Sequence, residues 1–444
     1  MPPCGTTSPL PTGPTQRVED GNAAVHKKSS ESPSTSESPS ERNRGIPRVA
    51  DVVANREFRG LWLAEALSIG GDQLAKVALA IMVYDRTDSA LWAALVYAMT
   101  FLPALAGGLG LSQLADRVPR RRLLVGSALV QATLVAAMTL PGMPLVLLCA
   151  LVFLVSLVSA PANAAQNAIT REAFDDDAHY LRSQDLRGIT MNMMMLLGLA
   201  GGGLLVTLIG TRTALAIDAV TFLIAAWLVY TGVRWRPSAG GAEHGWFGGA
   251  RLMASDRKLR VLLGLALLVG LTVVPEGLAA PLADQLGAPD HAVGWLLAAD
   301  PLGFVIGTFV LSHYVPAHVR LRLIGPLAAA SAAVLIAFVT EPTMPFALAL
   351  LALSGATGAY IITVIATVNT SVPNGMRGSV IGVSHASLRV VQGLGVALGG
   401  AIAEWLGSAS HTVTAAGVLG LALAVPLAVS WWRLSKTPWR DPAT

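Results

Sequence analysis

The chain has 444 residues, of which 53% are hydrophobic and only 13% charged, with a mean hydropathy of +0.58. Soluble domains carry ~25% charged residues, and half that density cannot cover a water-facing globule of this length. An ordinary soluble enzyme, a coiled coil and a mainly disordered chain are therefore excluded. The net charge is +4 and the pI 9.3. In a soluble protein that balance would point to nucleic acid. Here the basic residues sit in short breaks between apolar runs, so they report on membrane topology and not on a nucleic-acid partner.

Residues 1–55 contain 21 Ser, Thr and Pro residues and no apolar periodicity. Such a stretch cannot bury enough surface to offset its ordering entropy, so it reads as a disordered, solvated tail. It has no continuous apolar core of the kind a secretory signal carries. Of the two cysteines, Cys4 lies in this tail and Cys149 in an apolar run, which predicts no disulfide.

From Phe58 on, apolar runs of helical length alternate with polar breaks. The pattern predicts twelve membrane helices, at 58–84, 90–114, 123–140, 144–168, 184–209, 212–233, 259–283, 291–313, 323–340, 344–370, 380–406 and 412–432. The tail and alternate loops hold 26 of the 31 Lys and Arg residues, whereas the intervening loops hold only Arg86 and Arg212. The positive-inside rule then puts both termini on the cytoplasmic side of the cell membrane.

The longest break, 234–258, separates two stretches of nearly equal length. A Trp246–Arg260 segment within it has the pattern of an amphipathic surface helix. The expected organisation is a tail (1–55), a six-helix bundle (56–233), a cytoplasmic linker (234–258), a second six-helix bundle (259–435) and a short C-terminal tail (436–444). Arg187-Gly188 followed by Gly198, Gly201, Gly202 and Gly203 is echoed by Arg377-Gly378 followed by Gly393, Gly395, Gly399 and Gly400. Weak internal similarity of this kind marks a duplicated transporter unit.

The loop after the second run reads Ser112-Gln113-Leu114-Ala115-Asp116-Arg117-Val118-Pro119-Arg120-Arg121-Arg122. It resembles the signature loop of the major facilitator superfamily, Gly-x-x-x-Asp-Arg-x-Gly-Arg-Arg, with Ser112 and Pro119 standing where glycines are usual. Asn55-Arg56-Glu57-Phe58-Arg59, Gly71-Asp72 and Ile217-Asp218-Ala219 with Phe222 look like the twelve-span drug:proton antiporter branch that includes macrolide and siderophore exporters. The resemblance covers about 50 to 435. It implies an all-α membrane fold of two pseudo-symmetric six-helix bundles. It also implies a gating role for the loop, with Asp116 at the N-terminal end of a neighbouring helix and Arg117, Arg120 and Arg121 pairing across the halves. The plain alternative is a basic loop retained inside.

Charges at membrane depth are costly and usually face a cavity or a partner. Glu65, Asp72 and Lys76 share one face of the first run. Lys76 either holds Asp72 as a permanent ion pair or tunes a proton-exchanging carboxyl. Glu65, with no local basic partner, reads as a bare proton carrier, or as the partner of Arg389 across a cavity. Glu276 follows Pro275, and Asp300 precedes Pro301. Glu276 and Asp72 are expected to approach near the outer mouth and sense its closure. His385, Arg389 and Gln392 form one polar stripe, with His385 a relay or a simple hydrogen-bonding group. Asp218, near the outer end of the sixth run, reads as an interfacial cap or packing contact.

Ser156, Ser159, Asn163 and Asn167 in the fourth run, and Tyr360, Thr363, Thr367 and Thr370 in the tenth, make matching neutral stripes. They line a water-filled cavity or hydrogen-bond neighbouring helices. Met194 among Met191, Met193 and Met195 in the fifth run, with Tyr97, Trp92 and Phe101 in the second, supplies adaptable contacts. Trp431 and Trp432 read as an interfacial belt.

The sequence has no phosphate loop, Cys/His metal spacing or hydrolytic triad, so neither a cofactor, a metal nor an enzyme is expected. The leading expectation is a monomeric, proton-coupled exporter of amphipathic small molecules, with protons, substrate and the bilayer as partners. A metabolite importer or facilitator, and a non-transporting sensor using the tail, are the alternatives.

Overall fold

The computed structural model describes residues 49–103, 118–174, 176–236, 246–372 and 374–435, which form helices and no strand. Without water, each backbone N–H and C=O must be satisfied within its own segment, which makes the apolar runs helical. The first half contains α1 (Val49–Ala54), α2 (Arg56–Thr87), α3 (Ala90–Ala98), α4 (Arg120–Met138), α5 (Leu145–Glu172), α6 (Asp177–Ile209) and α7 (Thr211–Gly232). The helix α8 (Trp246–Ser255) leads to the second half. That half contains α9 (Arg257–Leu267), α10 (Val269–Thr272), α11 (Val274–Gly277), α12 (Ala279–Gln285), α13 (His291–Tyr314) and α14 (Ala317–Leu335), the last extended by a 3-10 turn at Ile336–Thr340. It closes with α15 (Met344–Gly358), α16 (Tyr360–Ser371), α17 (Asn374–Leu406) and α18 (Ala409–Leu434).

Eleven helical segments among the described residues are long and apolar enough to cross a membrane. The expected second span contributes α3, and its remainder from residue 104 lies outside the described residues.

Local chemistry sets the element ends. The Asn55 side chain accepts from the N–H groups of Glu57 and Phe58 at 3.0 and 3.2 Å, capping α2. Its amide donates to Ala173 O at 2.8 Å, tying that cap to the end of α5. Gly210 at φ +84° and Gly407 at φ +64° make corresponding turns in the two halves, before α7 and α18.

The packing repeats. In the first half α2 lies against α6 and α7, and α4 against α5 and α7. In the second half the α9–α12 segment lies against α17 and α18, and α14 against α15, α16 and α18. These are the same pairings six spans apart, as a duplicated unit requires. The two bundles meet chiefly through α3 against α17 and α6 against α13.

Several elements depart from the sequence reading. Helix α1 falls within the stretch read as tail and packs on α6. Helix α6 starts at Asp177 and not near residue 184, because helical geometry continues past the point where apolar residues give way to polar ones. The seventh run is broken into four pieces. Pro275 and Pro281 remove two donors there, and the breaks close with tighter bonds such as Glu276 N to Val273 O at 3.0 Å. The expected surface helix is α8, which packs on α17, and Asp256 then caps α9.

Trp431 is not a belt residue: it is 3% exposed and its Nε1 donates to Leu321 O at 2.8 Å. It locks α18 to α14, whereas Trp432 is exposed. Cys149 is a buried free thiol in the core.

Candidate functional site between the bundles

Ser89 caps α3 by accepting from Trp92 N, and α3 carries Tyr97 to the midpoint between the bundles. Opposite it, the broken turn at Pro275 presents Glu276. Tyr97 Oη donates to Glu276 Oε2 at 2.6 Å, a hydrogen bond joining one bundle to the other. Tyr97 is 8% exposed, so this bond is made out of water. The Phe101 ring packs on Tyr97 at 5.6 Å between centroids, and the Arg389 guanidinium from α17 sits over Phe101 at 5.6 Å. A cavity of about 10 Å³, room for a single water, is lined by Lys76, Tyr97, Thr100 and apolar side chains. Lys76 and Arg389 both act electrostatically on Glu276, and so does Glu276 on Asp300.

The structure therefore gathers Lys76, Tyr97, Glu276, Asp300 and Arg389 at one waist. Tyr97→Phe removes the donor and leaves the carboxylate with one partner fewer, a cost of about 1–3 kcal/mol. Transport by this variant is expected to fall and its pH profile to shift. An unchanged profile would show that the bond has no part in the cycle.

Three expected pairings are corrected. Lys76 donates to Gln73 Oε1 at 3.1 Å and closes no direct ion pair on Asp72, although the two still act on each other electrostatically. Glu276 meets Tyr97 and not Asp72. The first and seventh spans instead meet through Tyr84 Oη, which donates to Asp284 Oδ2 at 3.0 Å. Glu65 is neither bare nor bonded to Arg389. Arg187 of α6 grips it at two points, Nε to Oε2 at 2.7 Å and Nη2 to Oε1 at 2.6 Å. Arg187 Nη1 also donates to Asn167 Oδ1 at 3.2 Å and Gln184 Oε1 at 2.8 Å. Both side chains of the pair are under 10% exposed. Sequence reasoning misses this partner because Arg187 opens the predicted fifth helix, and no local spacing relates it to Glu65 on the first. The missing partner of Glu65 and the echoed Arg-Gly pair are the available signals.

Asp116 and Arg117 lie outside the described residues. Arg120 and Arg121 do not reach across the halves: Arg120 pairs with Glu172 of α5, and Arg121 donates to Tyr230 O and stacks on that ring at 4.6 Å. They are held because Glu57, Glu172 and Arg236 converge at the same end of the first bundle. Arg236 binds Glu57 through Nη1 at 2.5 Å and Nη2 at 2.9 Å, and its Nε lies 3.8 Å from Glu172. The bonds to Glu57 raise the Arg236 pKa above its ordinary value.

The polar stripes divide. Ser159 accepts from Gln131 Nε2 at 2.8 Å, a helix–helix contact, and Asn167 serves Arg187. Asn163 is exposed. Tyr360 is 2% exposed and donates to Leu265 O at 2.7 Å, so it is a packing residue filling the break of the seventh span and not a cavity contact. Thr367 bonds back to Thr363 O at 2.7 Å, and Thr363 is half-buried. His385 is exposed, one turn from Arg389, and Gln392 is half-buried. Met194 packs towards Gly70 of α2.

The hydrogen bonds joining described residues of the two bundles lie at this waist and at the end where α2 finishes. There Glu404 of α17 accepts from Ser89 Oγ at 2.9 Å and Leu91 N at 3.3 Å. In the separate α6–α13 contact, Gly203 of α6 and Gly294 of α13 bring two backbones together. A Cβ on Gly294 would lie 2.9 Å from Gly203 Cα.

Two helical units of one pattern, meeting around ionisable groups at membrane depth, define a secondary-transporter architecture. The family model described as Major Facilitator Superfamily matches residues 61–274 and 261–444, and the chain belongs to that superfamily. It is similar to the uncharacterized MFS-type transporter YkuC of Bacillus subtilis (strain 168), at 26% identity over 182 residues. That match covers 40% of this chain and 42% of the relative, less than half the length of either.

Among solved structures, the fold resembles the POT family transporter PepTSo, with a TM-score of 0.72, 12% identity and coverage of 86% of this chain and 99% of that one. It also resembles the nucleoside transporter NupG, with a TM-score of 0.65, 15% identity and coverage of 85% and 100%. A bacterial homolog of the human lysosomal transporter Spinster, in an inward-facing and unoccupied conformation, gives 0.66 at 14% identity, covering 86% and 97%. These likenesses show the fold. The chain is a membrane transporter of the major facilitator type.

Proposed function

We propose that this transporter exports amphipathic small molecules from the cell in exchange for protons, by alternating access. The observation that carries the reading is the Tyr97–Glu276 bond at the waist. A hydrogen bond to a carboxylate is about twice as strong as one between neutral groups. Protonating Glu276 therefore weakens a contact that joins the two bundles, and links proton occupancy to their separation. Asp72 and Asp300 are further acids at membrane depth, whereas Glu65 is committed to Arg187 and drops out of the set of proton carriers. Thr100 and Phe101 at the waist, with Met194 and exposed Asn163 elsewhere in the first bundle, offer neutral and polarisable contacts, which suit a substrate of variable shape. A metabolite importer remains the second reading for direction, favoured if expression raises uptake and leaves drug susceptibility unchanged.

The test uses the purified chain in proteoliposomes. A pH gradient is expected to drive substrate movement, and substrate to drive proton movement. Glu276→Gln is expected to lower gradient-driven transport at least tenfold. Transport indifferent to the pH gradient in the unaltered chain would overturn the proton-coupled reading.

A further inference from the structure

Asp218 is 1% exposed in the seam between α7 and α2, and it takes no part in the waist. Its carboxyl occupies the space above Gly71, where any Cβ would collide with it and with the Thr221 hydroxyl. Among the described residues, no cation pairs with it. Its Oδ2 is buried without a hydrogen-bond partner, and its Oδ1 lies 3.2 Å from Thr221 Oγ1.

The Thr221 hydroxyl has one proton, and the shorter of its two contacts, 2.7 Å, is to the Asp218 carbonyl oxygen one turn back. That proton is thereby used. The remaining contact, Oγ1 to Oδ1, needs its proton from the carboxyl. Of the helices packed against α7, α2 presents Asp72 as the charged group acting on Asp218. Lys76 lies one turn beyond Asp72. Helix α6 keeps Arg187 on Glu65, and α4 keeps Gln131 on Ser159 and its arginines at the far end of the helix. The neighbouring charge is thus a like charge. An ionised Asp218 would have a bare buried oxygen and a like charge acting on it, which is among the costliest placements a side chain can have.

We propose that Asp218 is a proton-binding site separate from the waist: a neutral carboxylic acid in the α2–α7 seam that donates to Thr221. Ionisation breaks the O–H bond on Asp218 Oδ1 and must hand the proton to water, which reaches the carboxyl only when the seam opens. With the proton on Asp218, α2 packs flat on α7 at Gly71. With both groups ionised, the seam must open or admit water. The ligand is the proton, and the site couples its occupancy to the packing of the first bundle. It goes beyond the transport reading, since it stands whether or not transport is proton-driven.

Infrared spectroscopy of the full chain in lipid nanodiscs tests it without reference to transport. At neutral pH the unaltered protein is expected to show a carbonyl band of a protonated, hydrogen-bonded carboxylic acid. That band is expected to disappear in Asp218→Asn and to survive in Asp72→Asn. Asparagine is isosteric and neutral, so its melting temperature should stay within a few degrees of the parent. Thr221→Val removes the proton's acceptor and is expected to move the band towards that of a free acid. It also serves alone if the first variant fails to fold. An Asp218→Asn spectrum superimposable on the parent, or a band unmoved by Thr221→Val, overturns the proposal.

Discussion

Arg187→Ala is expected to destabilise the protein by ~3–5 kcal/mol, because it strands the Glu65 carboxylate in a dry setting. The magnitude follows from geometry. Arg187 supplies two parallel bonds to Glu65 and uses Nη1 on Asn167 and Gln184, so nearly its whole donor capacity is spent inside the first bundle. Removing it abandons acceptors on α2, α5 and on α6 itself. Glu65→Gln should cost less, since an amide still accepts one bond. The double variant Glu65→Leu with Arg187→Leu should be clearly milder than the sum of its parts, since both charges leave together. Thermal unfolding in detergent micelles measures all three. Additive losses would mean that the two residues act apart, and the pair would lose its structural standing.

The second large effect is conformational. At Gly203 and Gly294 the bundles touch backbone to backbone, so no side chain can be added without parting them. Gly294→Val should cost the closed arrangement of that end about 1–3 kcal/mol by overpacking. If the other arrangement is unaffected, populations shift by ~5–150-fold towards it. A cysteine replacing Thr100, which lines the waist cavity, reports the change when Cys4 and Cys149 are replaced by serine. Its labelling by a membrane-impermeant thiol reagent added from the side where α2 ends should accelerate by that order. Labelling at the parent rate would show that the glycine contact does not gate access.

The architecture was legible because it is written in long apolar runs, whose length and spacing a bilayer dictates. The halves were legible because Gly-rich packing faces recur. Pair contacts were less so. Helical spacing places Asp72 and Lys76 on one face, but it does not show that Gln73 competes for the ammonium. Nor does it show which of several arginines faces Glu65, since that depends on the rotation of α6 about its axis. Tyr360 has the sequence context of a cavity residue. Only the break in the seventh span, which leaves Leu265 O needing a donor, turns it inwards. Polar residues in membrane helices are thus easily recognised as unusual. Their partners are settled by tertiary packing, which local periodicity does not encode.

Arg236 and α8 carry one more consequence. Arg236 is fastened to Glu57 in the first bundle, and α8 rides on α17 of the second. The chain between Arg236 and Trp246 is ten Cα steps, so its contour cannot exceed ~36 Å. That length caps how far the bundles can part at that end.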